Sequence, residues 1–278
     1  MPNKPTNDAM NNTFEQRFGG IRRLYGANAV PIIQNLHVCV VGLGGVGSWA
    51  VEALARTGVG RLTLIDYDTV ALSNINRQLP AMTDTDGLKK ASVLRERVGQ
   101  INPDCGCEVI DDFITVANLR DYLDPARHYG YVVDAIDSIT FKAQMIYHCK
   151  RNKIPIIATG GAGGLTDPTL IHVKDLRQTY NDPLAAKVRS RLRSDFGFSK
   201  NPKRNFGIEC VFSSQQQVYP KPDGSVSHQK PGIHGISLDC NMGYGSAAFV
   251  TAVFGQVAAS RVINRTLQKA ARRKTSKV

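Results

Sequence analysis

No C-x-x-C pair occurs in the 278 residues, so neither a four-thiolate zinc site nor a dithiol redox motif is written into the chain. Six cysteines lack regular spacing, and six histidines (His37, His128, His148, His172, His228 and His234) show no metal-ligand spacing. Cys105 and Cys107 share one face of a candidate strand, but no further ligands for a zinc site stand out. A secretory leader is also missing: no basic stretch followed by an apolar segment opens the chain. Together with the cysteine usage this points to a reducing, cytoplasmic setting. Internal repeats are absent, and acids are absent from residues 261 to 278.

That last absence leaves an excess of the other sign. The net charge is +12 and the pI about 9.5, which calls for an anionic partner. The excess is concentrated late in the chain. Leu184 to Arg204 holds seven basic residues (Lys187, Arg189, Arg191, Arg193, Lys200, Lys203 and Arg204) against one acid, Asp195. Arg261 to Val278 adds seven more: Arg261, Arg265, Lys269, Arg272, Arg273, Lys274 and Lys277. An anionic macromolecule is therefore expected to meet the C-terminal third, with Lys187, Arg189, Arg191 and Arg193 as candidate nucleic-acid contacts.

The chain is organised around Leu36 to Trp49, LHVCVVGLGGVGSW. Its short apolar run suits a strand buried on both faces. Gly42, Gly44 and Gly47 fit G-x-G-x-x-G, with Gly45 making a fourth. Such glycines make a tight strand-to-helix turn, let backbone approach phosphate oxygens and let the helix pack on the strand. Phosphate would sit on the N–H groups of the helix starting near Val46. Arg61 to Asp66 (RLTLID) reads as a second strand ending in an acid, about 20 residues past the glycines, where a ribose-binding carboxylate belongs.

Beyond that acid comes DYDTVALSNINRQ. A plain dinucleotide site has no evident use for Asn74, Asn76 and Arg77 there, whereas phosphate chemistry has: a guanidinium offers paired donors to an α-phosphate, and asparagines orient ribose or phosphate oxygens. Lys90, in GLKKASVLRERV, is a second candidate cation. YGYVVD, residues 129 to 134, is the next buried strand, followed by Ala135, Ile136, Asp137 and Ser138. Asp137 is placed to hold a magnesium ion bridging phosphates; Asp134 could be that ligand instead, or cap the helix expected over Thr140 to Asn152. After the strand at Ile154 to Ala158, TGGAGG (Thr159 to Gly164) is a tight loop whose carbonyls could hold a monovalent cation.

The expected fold is α/β, a Rossmann-like, mostly parallel doubly wound sheet. Residues 1–13 read as a disordered tail, 14–164 as the ATP-binding domain and 165–278 as a basic extension ending in a helix. Within that extension, Pro183 to Arg193 reads as a basic helix and Pro220 to Gly235 as a turn-rich lid or connector. Cys240 to Ser260 runs 21 residues without a charge, long enough to cross a bilayer. Its Asn241, Gln256, three glycines and many small residues favour a buried helix, as does the set of cations beyond it. Membrane association through 240–260 is the lesser alternative. Cys240 itself is either a thiol near the site or buried packing.

In order along the chain, GLGGVG, the acid of LIDYD, SNINRQ, GLKK and VVDAIDS resemble the ubiquitin-activating-enzyme-like adenylating family, which includes the activators of sulfur-carrier proteins. This resemblance covers about Phe14 to Gly164 and implies ATP and Mg2+. It places Gly45 at the nucleotide, Asp66 at the ribose and Ser73 to Arg77 around the triphosphate. Arg77 and Lys90 would neutralise the α-phosphate and the leaving pyrophosphate, and Asp137 would bind magnesium with Ser138 beside it. The flanking words RFGGIRRLYG, NKIPIIATGGAGG, QTYNDPLAAKVRSRLRSDFG and LDCNMGYGSA look like a branch that dehydrates a threonylcarbamoyl-modified adenosine of tRNA. The resemblance thus implies tRNA rather than DNA as partner, a homodimer and, through the sulfur-carrier side of the family, a possible sulfur-relay protein. An adenylating activator of a sulfur-carrier or ubiquitin-like C-terminus is the alternative function, and the missing C-x-x-C pairs weigh against it. Where that family's partner subunit supplies an arginine, this chain has Gly20, with Arg17, Arg23 or no residue as the substitute.

Overall fold

The computed structural model describes residues 7–229 and 245–275. Helix α1 (Asn7–Tyr25) begins inside the stretch expected to be an unstructured tail, and short α2 (Val30–Gln34) leads into the sheet. Strand and helix then alternate: β1 (His37–Val41), α3 (Gly47–Arg56), β2 (Arg61–Ile65), α4 (Lys90–Ile101), β3 (Gly106–Ile110), α5 (Leu119–Tyr122), β4 (Tyr131–Asp134), α6 (Ile139–Arg151) and β5 (Ile156–Thr159). The remainder supplies β6 (Ile171–Asp175), α7 (Pro183–Asp195), β7 (Glu209–Ser213), the small hairpin β8 (Tyr219–Pro220) and β9 (Val226–Ser227), and α8 (Ala248–Thr275).

Seven strands form one sheet in the order β3-β2-β1-β4-β5-β7-β6, parallel throughout except for the antiparallel β6–β7 pair. From β1 the chain winds out to β3, then returns to β1's other side to start β4. The carboxyl ends of β1 and β4 therefore flank the switch point where open α/β sheets bind ligands. In register, Val41 lies opposite both Ile65 and Asp134, so the glycine turn, the strand-end acid of β2 and the β4 acid begin at one level. This is the expected Rossmann-like architecture.

Alternation along β1 explains the two cores. Val38 and Val40 face the layer holding α3, α4 and α8, packed with Leu54, Leu94, Phe254 and Val262. Cys39 and Val41 face the layer of α6 and α7, with Ile146, Val188, Leu192 and Phe212. Burial on both faces is why the strand reads as a continuous apolar run.

The basic extension expected over 165–278 is built into this body: β6 and β7 continue the sheet, and α8 belongs to the first core. Val250, Phe254, Ala258 and Val262, four residues apart, make the buried stripe of α8. Gly255 lies on α3, where a Cβ would overlap the Val46 carbonyl oxygen and approach Ala50 N to 2.7 Å. From Ala248 on the uncharged run is thus a core helix, and no helix among the described residues is long and apolar enough to cross a membrane. Residues 230–244, which hold Cys240 and the connector from residue 230 on, lie outside the described residues.

Two of the C-terminal cations are spent inside the fold: Arg261 and Arg265 both bond Glu209 at the start of β7, Arg265 at 2.6 Å. Burial raises the Glu209 pKa, but the two guanidiniums outweigh it and hold the carboxyl below its ordinary range. A depressed folded-state value gives stability that is present above the ordinary carboxyl range and lost as pH falls from that range through the depressed value. Glu209→Gln should therefore cost about 1 kcal/mol at neutral pH, and its melting temperature should converge on that of the parent below about pH 4. Thermal melts across pH 3 to 8 would check this.

Candidate active site

The glycines divide the labour at the turn after β1. Gly42 adopts φ 84°, and a Cβ there would press on Ile136 at 2.9 Å and Ala135 at 3.0 Å. At Gly47 a Cβ would overlap the Gly42 carbonyl oxygen, so this glycine permits α3 to close on the strand. At Gly45 it would meet Thr251 of α8 at 3.2 Å and Arg77 at 3.6 Å. Gly44 alone of the four looks onto open space, its nearest neighbour being Gln78 Nε2 at 3.8 Å. The Gly42 N–H donates to Ile65 O, the Leu43 N–H to Asp66, and helical bonding resumes at Ser48 N–H to Gly44 O. The N–H groups between are those that a helix start leaves for an anion.

Asp66 braces this turn. Its Oδ2 accepts from Leu43 N–H at 2.6 Å and its Oδ1 from Asp68 N–H at 2.8 Å, leaving a second lone pair on each oxygen for ribose hydroxyls. Burial pushes its pKa up, against the pull of those two N–H groups and Lys90.

Lys90 is the first residue of α4 and only 5% exposed. An ammonium at the positive end of a helix is electrostatically misplaced. Asp68, half exposed, offsets it through a 2.8 Å ion pair. Asp68 was not singled out from the sequence; the signal available was the second acid of LIDYD. Lys89 points elsewhere, to Asp111 at 2.9 Å and the Tyr67 carbonyl at 2.7 Å.

The Ser73 to Gln78 turn is held by its backbone. Arg77 O accepts from Trp49 Nε1 of α3 at 3.2 Å and from Thr251 Oγ1 of α8 at 3.0 Å, and Asn76 Nδ2 donates to Ser246 O at 2.8 Å. Among the described residues the Arg77 guanidinium bonds within its own turn, to Ser73 O at 2.7 Å and Asn76 Oδ1 at 2.9 Å. Buried Asn74 accepts from Ala71 N–H and closes the turn, whereas Ser73 is exposed. Gln78, also not anticipated, is buried beside Gly44 with an Oε1 that has no partner among the described residues.

After β4 the two acids separate. Asp134 is fully buried and its Oδ1 accepts from Lys142 Nζ at 2.7 Å. Burial pushes it up to about 6, with Lys142 pulling back. It caps no helix: Ser138 is the N-cap of α6. Asp137 is exposed at the mouth, next to Ser138, and its charge reaches Tyr67 together with those of Asp68 and Asp66. Among the described residues no three His, Cys, Asp or Glu side chains stand close enough to hold a metal by themselves. A single carboxylate completed by phosphate oxygens is, however, the usual way in which magnesium is held.

The loop after β5 is braced by protein. Asp182, buried, accepts from Gly161 N–H at 3.1 Å and Ala185 N–H at 2.9 Å, while the Gly163 and Gly164 carbonyls accept from Gln217 Nε2 and Val218 N–H, each at 2.9 Å. The α7 cations do not share one face. Lys187 is exposed, but Arg189 bonds Thr179, Arg191 bonds Thr140 and Asp195, and Arg193 lies over the Phe206 ring at 5.5 Å. Arg17 is committed to the end of α4, donating to Gln100 O and Ile101 O at 3.2 Å, which leaves Arg23, exposed near Glu15, as the freer of the two arginines weighed for the site. Two open cavities, about 600 Å³ around Leu88 to Glu96 and about 560 Å³ between Lys150 and Arg265, are not lined by the glycine turn.

With this geometry in view, the relatives are informative. The ThiF family profile matches residues 21–278. The chain is 52% identical over 264 residues to the Escherichia coli (strain K12) tRNA threonylcarbamoyladenosine dehydratase, covering 95% of this chain and 98% of that protein. It is 35% identical to the protein of the same name from Bacillus subtilis (strain 168), covering 86% and 89%. The crystal structure of E. coli tRNA N6-threonylcarbamoyladenosine dehydratase, TcdA, in complex with ATP superposes with a TM-score of 0.83 at 50% identity, covering 94% of this chain and 98% of that one.

Proposed function

The chain belongs to the ThiF family, and we propose that it carries out the ATP-dependent dehydration of N6-threonylcarbamoyladenosine in tRNA, releasing AMP and pyrophosphate. The observation that carries this reading is the convergence, on one sheet edge, of the open Gly44 with Arg77 and the buried Lys90.

A carboxylate is a poor electrophile, and adenylation gives it a leaving group. The threonyl carboxylate oxygen bonds to the α-phosphorus of ATP and pyrophosphate departs. The neighbouring ureido nitrogen then attacks the activated carbonyl, its proton is lost, and AMP leaves with the former carboxylate oxygen, so the nucleoside loses one water overall. Two anions must be brought together for the first step. Arg77 and Lys90 supply fixed positive charge where it grows on the phosphates, and the N–H groups from Gly44 to Gly47 accept phosphate load at the start of α3. Asp66 orients the ribose. Asp137, with Ser138 beside it, would hold Mg2+, whose contribution is to neutralise the polyphosphate. Ring closure within one substrate profits from proximity and needs no covalent enzyme intermediate.

The tRNA is met by the basic surface, with Lys187 outward on α7 and Lys269, Arg272 and Arg273 near the end of α8, whereas Arg189, Arg191 and Arg193 are engaged within the fold. A homodimer is part of this reading; a monovalent cation at 159–164 is not required by it.

Incubation with ATP, Mg2+ and tRNA, followed by nucleoside mass spectrometry, tests the proposal. The threonylcarbamoyl nucleoside should lose one water only when both ATP and enzyme are present. An unchanged nucleoside, with pyrophosphate exchange triggered instead by a carrier protein ending in Gly-Gly, would replace it with the carrier-activating alternative.

A further inference from the structure

Lys142 is among the largest fully buried side chains, 2% exposed, in the first turn of α6. Like Lys90 it is a cation at the positive end of a helix that opens onto the site, a placement that dipole electrostatics disfavour. Its Nζ makes three bonds, the full capacity of an ammonium: to Asp134 Oδ1 at 2.7 Å, Asp134 O at 3.2 Å and Ile136 O at 2.8 Å. Two of the three acceptors are main-chain carbonyls of the turn between β4 and α6.

Other contacts hold the same turn, among them the Ile136 N–H, which donates to the Asp134 carboxylate. Ala135 N–H donates to Val41 O, Thr159 Oγ1 donates to Asp134 O, and Ile136 and Ala135 press on Gly42, which has no Cβ to interfere. The next residue is Asp137. A shift of the Ile136 carbonyl is therefore carried along the chain to Asp137 and across it to the glycine turn.

We infer that Lys142 is a positioning residue: by gripping the Asp134 and Ile136 carbonyls it sets the place of Asp137 against the polyphosphate, beyond serving as the counter-ion of Asp134. The inference rests on the ATP-dependent reading above. A buried pair exchanged for neutral groups of similar size often leaves stability little changed, so the double variant Asp134→Asn/Lys142→Met removes both charges and the carbonyl grip without stranding either charge.

Two measurements on the full chain test this. Amide hydrogen exchange over residues 135–141, without any ligand, should be faster in the double variant than in the parent; unaltered exchange there overturns the inference whatever ATP does. In thermal-shift titrations the double variant should keep its ligand-free melting temperature and its response to AMP, while the ATP concentration needed for half the Mg·ATP response rises about tenfold or more, as for other residues that orient a metal ligand. A parental ATP response would reduce Lys142 to a counter-ion. Loss of the AMP response together with the ligand-free melting temperature would make it a purely structural residue. If the parent itself fails to respond to ATP while the exchange result holds, the ATP reading falls and the grip on the turn stands.

Discussion

Lys90→Met is expected to reduce AMP release in the presence of substrate tRNA by about a thousandfold, with the melting temperature nearly unchanged. The asymmetry of its ion pair is the reason. Lys90 is buried but Asp68 is half exposed, so loss of the ammonium returns Asp68 to water rather than stranding a charge in the core. Removal of the misplaced cation even relieves the start of α4. Arg77→Ala should behave in the same way, because α3 and α8 hold the Arg77 carbonyl while the guanidinium, among the described residues, bonds its own turn. Chromatographic AMP assays beside thermal melts decide the matter. Normal turnover in both variants would remove the cations from the chemistry.

The glycines offer a sharper contrast. Gly47→Ala should destabilise the fold by about 3 kcal/mol, lowering the melting temperature by about 10 °C, because its Cβ would overlap the Gly42 carbonyl oxygen, which belongs to the same tight turn and cannot retreat. Gly44→Ala should leave the melting temperature where it is, since its Cβ would find nothing nearer than Gln78 Nε2 at 3.8 Å. The same methyl would stand where phosphate is expected, so the rise in melting temperature on adding ATP should be largely lost. If Gly44→Ala keeps its full ATP response, the open side of the turn is not where the phosphates lie.

Which parts of this could be read beforehand follows from the range of the interactions. The βαβ rhythm, the glycine turn and the acid closing β2 are local patterns, and the strands and helices fall within a few residues of their expected positions. Partnerships across distance were out of reach. Lys90 meets Asp68 and Lys142 meets Asp134 only once a helix folds back over a strand end, and nothing in GLKK or VVDAIDS says which acid takes which lysine. The α7 arginines show the same limit. Lys187, Arg189, Arg191 and Arg193 recur every second residue, about 200° apart on a helix of 3.6 residues per turn, so they diverge, and all but Lys187 find partners within the fold. The division at residue 164 followed fading motifs, while the sheet itself continues through β7 and β6.

Thr251 on α8 touches both Gly45 and the Arg77 carbonyl, and Gly255 seats the same helix on α3. The last helix thus backs both the glycine turn and the arginine turn. Excising the first half of the chain as a portable module, or grafting it onto a foreign C-terminus, would leave the arginine turn without its backing and one core layer open to solvent.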